Sequence, residues 1–307
     1  MNEQIFKNII DKMTNNNLNM ESLIITCDGN EYKHLFVAEN PKNIRSLSKT
    51  ITALALGVAI EKGYFKNGIE ENIMNYFNDI KIVCKNNIKY LDQLKIKHLI
   101  TLSTGYEEQI LTEKHIATLD EKEDLCKFAL NYPMHHNPGD YFFYSNAPIY
   151  LLSIIIEKET GKKLSSFVVE EILQKLQIKN YNWLESKQNH TMGCTGLELT
   201  PSDLHKIGVM MMNNGMYNNE QIIPDSWLKE MTTLKIETPN KYNEEKALPK
   251  YGYGYNLWIC KNGIYYHDGS DGQYLITIPN KKMVITITAK EQNMNLITEC
   301  IRELCND

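Results

Sequence analysis

The sequence predicts an α+β fold of the α/β-sandwich type: an antiparallel sheet of about five strands, flanked by the terminal helices, with a mostly helical lobe inserted. Three observations carry this expectation. Strand-like segments rich in β-branched and aromatic residues gather at both ends of the chain, and helical spacing dominates its middle. Turn signals at Asp28-Gly29-Asn30 and Asn262-Gly263 join neighbouring strand segments. The length of 307 residues suits one domain with a large insertion, or two lobes. The expected boundaries are 1–63 with 196–307 for the sheet lobe and 64–195 for the helical lobe, with the active site in the cleft between them.

In chain order, Ile5, Ile9, Ile10 and Met13 fall on one face of a first helix. Leu23–Thr26 reads as a strand and Tyr32–Val37 as its returning partner. A strong helix begins near Ser48: Ile51, Leu54, Ala55, Val58 and Ala59 repeat at helical spacing, and Gly63 suits the position just past its end. Ile149–Lys158 is an apolar helical run that stops before Gly161. Residues 201–214 form an amphipathic helix with Pro201 and Asp203 in its first turn. Tyr253–Cys260, Ile264–His267, Tyr274–Ile278 and Met283–Ala289 read as strands, and a last helix runs from about Met294 to Cys305.

Composition excludes several classes. Apolar residues make up 42% and charged residues 23%, as in an ordinary globular protein, and the net charge of −5 argues against nucleic acid and anionic membranes. Seven scattered cysteines show no Cys-x-x-Cys spacing, so neither a disulfide framework nor a zinc site is expected. The N-terminus lacks the basic start and apolar run of a signal peptide, and no segment approaches bilayer-spanning length. The expectation is a cytoplasmic protein with reduced cysteines and no membrane insertion.

The candidate chemistry begins at Ser46-Leu47-Ser48-Lys49. Residues i and i+3 share a helix face, so the hydroxyl and the amine can meet, and a helix start favours negative charge on the serine oxygen. Desolvation would lower the lysine pKa and let the neutral amine accept the serine proton. Alone, the Ser-x-x-Lys motif is weak: Ser226-Trp227-Leu228-Lys229 also matches, and there Ser226 reads as a helix-start residue followed by a surface lysine. Tyr144-Ser145-Asn146 follows the Pro138-Gly139-Asp140 turn and precedes an apolar helix, offering a phenol for proton transfer and an amide for substrate. The plain alternative is an aromatic residue packing on that helix. His267-Asp268-Gly269 lies on a predicted strand, where the glycine permits close approach and the histidine alternatively serves as a satisfied sheet residue.

In order, Ser-x-x-Lys, Tyr-x-Asn and His-x-Gly resemble the three motifs of the serine β-lactamase and penicillin-binding superfamily. The likeness is closest to class C β-lactamases and their esterase, peptidase and amide-hydrolase relatives. It extends over nearly the whole chain, through ENPKNIRSLSKTITALALGVAIEKGYF, IKHLITLSTGY, PGDYFFYSNAPIYLLSIIIEKETGKKL, GCTGLELTPSDLHKIGVMMMNNG and HDGSDGQYLITIPNKKMVITITA. The resemblance implies that Ser46 becomes acylated, that Lys49 and Tyr144 manage its proton, and that His267 completes the catalytic set. It further implies that Asn146, Asp268, Gly269 and Ser270 bind substrate, and that the backbone N–H groups of Ser46 and Ser270 form the oxyanion hole. It implies no metal and no organic cofactor.

One departure bears on substrate. The family's usual Lys-Thr-Gly or Lys-Ser-Gly is here His267-Asp268-Gly269. Asp268 removes a hydroxyl donor and disfavours a substrate carboxylate unless His267 is protonated or Asp268 points away. The expectation is a serine hydrolase acting through an acyl-enzyme on a small-molecule ester, amide or peptide. The alternatives are a true β-lactamase or D-alanyl carboxypeptidase, a non-catalytic ligand-sensing relative, and an acyltransferase. Tyr251, Tyr253, Tyr255, Tyr265 and Tyr266 crowd the third motif, either as cleft wall or as strand residues.

Overall fold

A computed structural model describes residues 1–118, 123–239 and 247–306. Its main sheet has eight antiparallel strands. In chain order these are β1 (Met20–Cys27), β2 (Asn30–Leu35), β3 (Ile236–Glu237), β4 (Gly252–Tyr253), β5 (Trp258–Ile259), β6 (Tyr265–Gly269), β7 (Gln273–Ile278) and β8 (Met283–Ala289). The spatial order is β2-β1-β8-β7-β6-β5-β4-β3. Two differences turn the six strand segments read from the sequence, there summed up as about five strands, into eight. Tyr253–Cys260 is not one strand: Gly254 to Leu257 turn the chain back, so that β4 pairs with β5 through Tyr253 and Trp258. A Cβ on Gly254 would lie 2.2 Å from the Met231 carbonyl, so only glycine fits where this turn meets its neighbour. In addition, β3 adds a two-residue edge beside β4.

The helices that position the site are α1 (Glu3–Asn15), α2 (Ser48–Glu61), α3 (Ala147–Thr160), α4 (Pro201–Met212), α5 (Asp225–Met231), α6 (Met294–Cys300) and α7 (Arg302–Cys305). The expected single C-terminal helix is thus broken at Ile301. Of the expected face of α1, Ile9 and Met13 are buried, Ile10 is half-buried and Ile5 is exposed, and Phe6 joins the buried side. Phe6 takes the inward place because its ring packs against Tyr32 of β2, with centroids 5.6 Å apart.

Strand alternation explains the layers. On β7, Leu275 meets Gly208 of α4, while its neighbour Tyr274 donates its hydroxyl to the Met294 carbonyl of α6. Helix α4 therefore covers one face and the C-terminal helices the other. All seven residues of β8, between these layers, are buried, which accounts for its run of apolar and threonine side chains. A buried polar seam binds α4 to its face: His205 contacts Thr26 and Thr286, each at 2.8 Å.

Helix α2 runs through the centre of the molecule. Every residue from Ser48 to Ala59 is buried, so this stretch has no face toward solvent. It ends at Gly63 in the left-handed region, as its sequence predicted. Among the described residues no helix is long and apolar enough to cross a membrane.

Candidate active site

Ser46 lies in a one-turn 3₁₀ segment, Arg45–Leu47, that leads directly into α2. Arg45 has φ +57°, an unfavourable value for a side-chain-bearing residue. The turn is held by the Arg45 N–H, which donates to Asn43 Oδ1 (2.8 Å), and by the Arg45 guanidinium, which pairs with Asp271 (2.7 Å). Strand β6 presses against the same turn. A Cβ on Gly269 would lie 2.8 Å from both Arg45 Cβ and the Ile44 carbonyl oxygen, so glycine is required where the third motif touches the first.

Lys49, one helical turn on, is wholly buried and donates to Ser46 Oγ (3.0 Å) and to the Cys194 carbonyl (2.9 Å). Burial lowers its pKa to about 8, with Cys194 and Asp268 opposing. The segment bearing that carbonyl is fixed from two sides. Trp183 Nε1 donates to the Met192 and Thr195 carbonyls, and Thr52 of α2 donates to the Gly193 carbonyl.

Tyr144 enters from the loop before α3. Its ring lies 5.0 Å from Lys49 Nζ and stacks on Trp258 of β5, at 5.6 Å and 12°. Its hydroxyl is 3.2 Å from His267 Nε2. His267 Nδ1 is 2.6 Å from Thr50 Oγ1, which donates to the Asn256 carbonyl at 3.0 Å. Burial pushes the His267 pKa down to about 3, with Lys49 and Lys250 adding to it and Asp268 opposing. The imidazole is therefore neutral at ordinary pH.

Alternation on β6 sends Asp268 to the sheet face opposite His267. There Trp258 Nε1 donates to Oδ1 (2.8 Å) and Lys250 pairs with Oδ2 (2.7 Å), its ammonium 4.1 Å from the Trp258 ring centroid. Burial alone would raise the Asp268 pKa, but Lys250 and the Trp258 N–H hold it below the usual value. Asp268 thus carries a charge already met by a cation. The expected penalty against a substrate carboxylate is largely cancelled by Lys250, which no sequence motif marked.

Asn146 caps the start of α3 and donates its amide to the Leu111 carbonyl (3.0 Å), while Ser145 accepts from the Ile110 N–H (2.9 Å). These two residues anchor the loop that forms one wall of a cleft of about 700 Å³. Ser46, Tyr144, Asn146, Asp268, Gly269 and Ser270 all line it. Lys49 and His267 lie beneath, reaching it through Ser46 and Tyr144. Of the aromatic residues near the third motif, Trp258 lines the cleft. Tyr253, Tyr265 and Tyr266 are buried strand residues, and Tyr255 is buried in the turn between β4 and β5. The second Ser-x-x-Lys is unrelated to the site: Lys229 is exposed and pairs with Asp225 one turn back.

Sequence reading missed Thr50, Cys194, Trp258 and Lys250. Thr50 had a visible signal, as one of the polar residues in the first turns of a helix that otherwise reads as apolar. The other three act through a backbone carbonyl or across the sheet, and spacing along the chain does not reveal such contacts.

A model of the Beta-lactamase family matches residues 38–296. Protein flp of Staphylococcus aureus (strain MW2) is 25% identical over 112 residues, 36% of this chain and 22% of that protein. The chain thus aligns with less than a quarter of that relative. Among solved structures, the octameric penicillin-binding protein homologue from Pyrococcus abyssi superposes with a TM-score of 0.76 at 22% identity, covering 98% of this chain and 76% of that one. A D-stereospecific amidohydrolase from Streptomyces sp. gives 0.73 at 13% identity, covering 97% and 98%.

Proposed function

Because the chain belongs to the β-lactamase family, whose members include hydrolases, we propose that it is a serine hydrolase that works through an acyl-enzyme on a small-molecule ester, amide or peptide. The observation that carries this reading is the buried Lys49 amine, 3.0 Å from Ser46 Oγ with its pKa lowered to about 8. An amine whose pKa is brought close to ordinary pH, within hydrogen-bond reach of a hydroxyl, is what proton abstraction requires.

In the proposed reaction Ser46 Oγ attacks the substrate carbonyl and gives its proton to Lys49 Nζ. The tetrahedral oxyanion is held by the backbone N–H groups of Ser46 and Ser270, one such donor contributing about 3 kcal/mol. The bond to the leaving group breaks, and Lys49 returns the proton to it. Water then attacks the acyl-enzyme beside Tyr144, and the acid leaves as Ser46 regains its proton. Asn146, Asp268, Gly269 and Ser270 are the proposed substrate contacts, and His267 supports Tyr144. The lobes 1–63 with 196–307 and 64–195 would meet across the cleft. What supports that division is that Arg45, Ser46 and Ser270 from the first and Leu111, Tyr144 and Asn146 from the second line the same cleft.

The test is intact mass after incubation with a fluorophosphonate, and separately with a penicillin, for wild type and Ser46→Ala. Turnover of a short-chain nitrophenyl ester is measured on the same samples. A fluorophosphonate adduct and ester turnover that vanish in Ser46→Ala, with little penicillin adduct, are expected. A rapid penicillin adduct would put a β-lactamase or carboxypeptidase in place of the esterase or amidase. No Ser46-dependent adduct or turnover would leave a ligand-sensing relative.

A further inference from the structure

We propose that Thr50 is a positioning residue: it holds His267 as the Nδ1–H tautomer, so that Tyr144 spends its one proton on His267 Nε2 and offers only lone pairs to the cleft. The inference rests on the hydrolase reading for its catalytic consequence, but not for the hydrogen-bond assignment itself.

The assignment follows from counting donors. Thr50 Oγ1 lies 3.0 Å from the Asn256 carbonyl oxygen. A carbonyl can only accept, so the single hydroxyl proton of Thr50 points there. The contact between Thr50 Oγ1 and His267 Nδ1, at 2.6 Å, then needs its proton from the imidazole. His267 is 2% exposed; the charges around it are Lys49, Lys250 and Asp268, and the Asn256 carbonyl also accepts from the imidazole, a second contact that calls for a ring N–H on that side. A neutral ring protonated on Nδ1 has a bare Nε2. That nitrogen stands 3.2 Å from the Tyr144 hydroxyl, and the phenol supplies the proton.

The result is a one-way chain: Tyr144 O–H donates to His267 Nε2, His267 Nδ1–H to Thr50 Oγ1, and Thr50 O–H to the Asn256 carbonyl. The Tyr144 proton is committed to His267, and Lys49 is left as the base that deprotonates Ser46. In the opposite tautomer, Nε2–H would occupy a Tyr144 lone pair and turn the phenolic proton elsewhere. There it would compete with substrate and water for acceptors in the cleft. The neighbouring residue sets the state of the third-motif histidine, much as an orienting group sets the tautomer of a catalytic histidine in other hydrolases.

The experiment is multiple-bond ¹H–¹⁵N correlation on protein labelled at its eight histidines, with His267 assigned by its loss in His267→Gln. The expected wild-type spectrum at neutral pH shows His267 protonated on Nδ1 alone. Thr50→Ser keeps that spectrum and near-full ester turnover. Thr50→Val is expected to show a second His267 form and to lose about 10-fold in kcat with KM little changed. A wild-type His267 protonated on Nε2, or an imidazolium, would overturn the assignment. Thr50→Val with unchanged tautomer and kcat would overturn the positioning role. If Thr50→Val does not fold, the wild-type and Thr50→Ser spectra decide. A wild type with the Nδ1–H tautomer but no ester turnover would support the hydrogen-bond chain and remove the hydrolase reading alone.

Discussion

Lys49→Met should make the protein more stable at neutral pH while abolishing acylation. The replacement keeps a long flexible side chain and removes the buried charge. Burial lowers the Lys49 pKa from 10.5 to about 8, so the folded state holds the ammonium less readily than the unfolded chain does. Below pH 8 both states are protonated and the penalty is complete, about 3 kcal/mol. Between the two pKa values the unfolded chain binds more protons, so rising pH relieves the penalty, which falls to roughly 1 kcal/mol by pH 10. Loss of the hydrogen bonds to Ser46 and the Cys194 carbonyl offsets the gain by about 1–2 kcal/mol. The assay is urea unfolding of wild type and Lys49→Met at pH 7 and pH 10. Taking the difference between the two proteins cancels the titration of other groups. The stability of the variant relative to wild type should fall by about 2 kcal/mol across that range. A difference that does not change with pH would refute the reasoning. The same shift raises the neutral-amine fraction at pH 7 from about one in three thousand to about one in ten, which is what the proposed proton transfer from Ser46 needs.

Gly57→Ala would ordinarily favour a helix by about 1 kcal/mol, yet here the new Cβ would sit 2.2 Å from Trp227 Cδ1, in an indole fixed by its bond to the Ala53 carbonyl. Overpacking wins, and the variant should lose about 2 kcal/mol or more in denaturant unfolding. Gly269→Ala should push β6 away from the Arg45–Leu47 turn that carries Ser46 and reduce ester kcat by about 100-fold, with near-native circular dichroism. Lys250→Met leaves Asp268 with the Trp258 N–H and without a cation, and should cost about 2 kcal/mol at pH 7. Because the folded Asp268 pKa is depressed, the Lys250 contribution is present above the ordinary carboxylate pKa and disappears as pH falls through the folded value. The gap between Lys250→Met and wild type should therefore narrow in acid, and Asp268→Asn added to Lys250→Met should recover part of it.

What the sequence disclosed was what the chain encodes locally. Helix α2 announces itself by spacing and by Gly63, and Ser46 and Lys49 meet because they are one turn apart. The hairpin strands β7 and β8 are bounded by Pro279 and Lys282, whose left-handed turn closes them. What stayed hidden depends on contacts across the molecule. The break between β4 and β5 is forced by the approach of Gly254 to Met231, which no period along Tyr253–Cys260 betrays. The effect of Asp268 could not be judged without Lys250, eighteen positions earlier and on another segment. The His267 tautomer depends on where one threonine hydroxyl points.

The burial of α2 ties the proposed nucleophile, Ser46, to the part of the molecule that opens last. Amides from Ser48 to Ala59 have no exposed face from which to fray, so their hydrogen exchange should proceed through global unfolding rather than local opening. Ser46 and Lys49 are then arranged only while the whole core is intact. A partially unfolded form would be inert rather than sluggish, and covalent labelling of Ser46 would serve as a direct count of fully folded molecules.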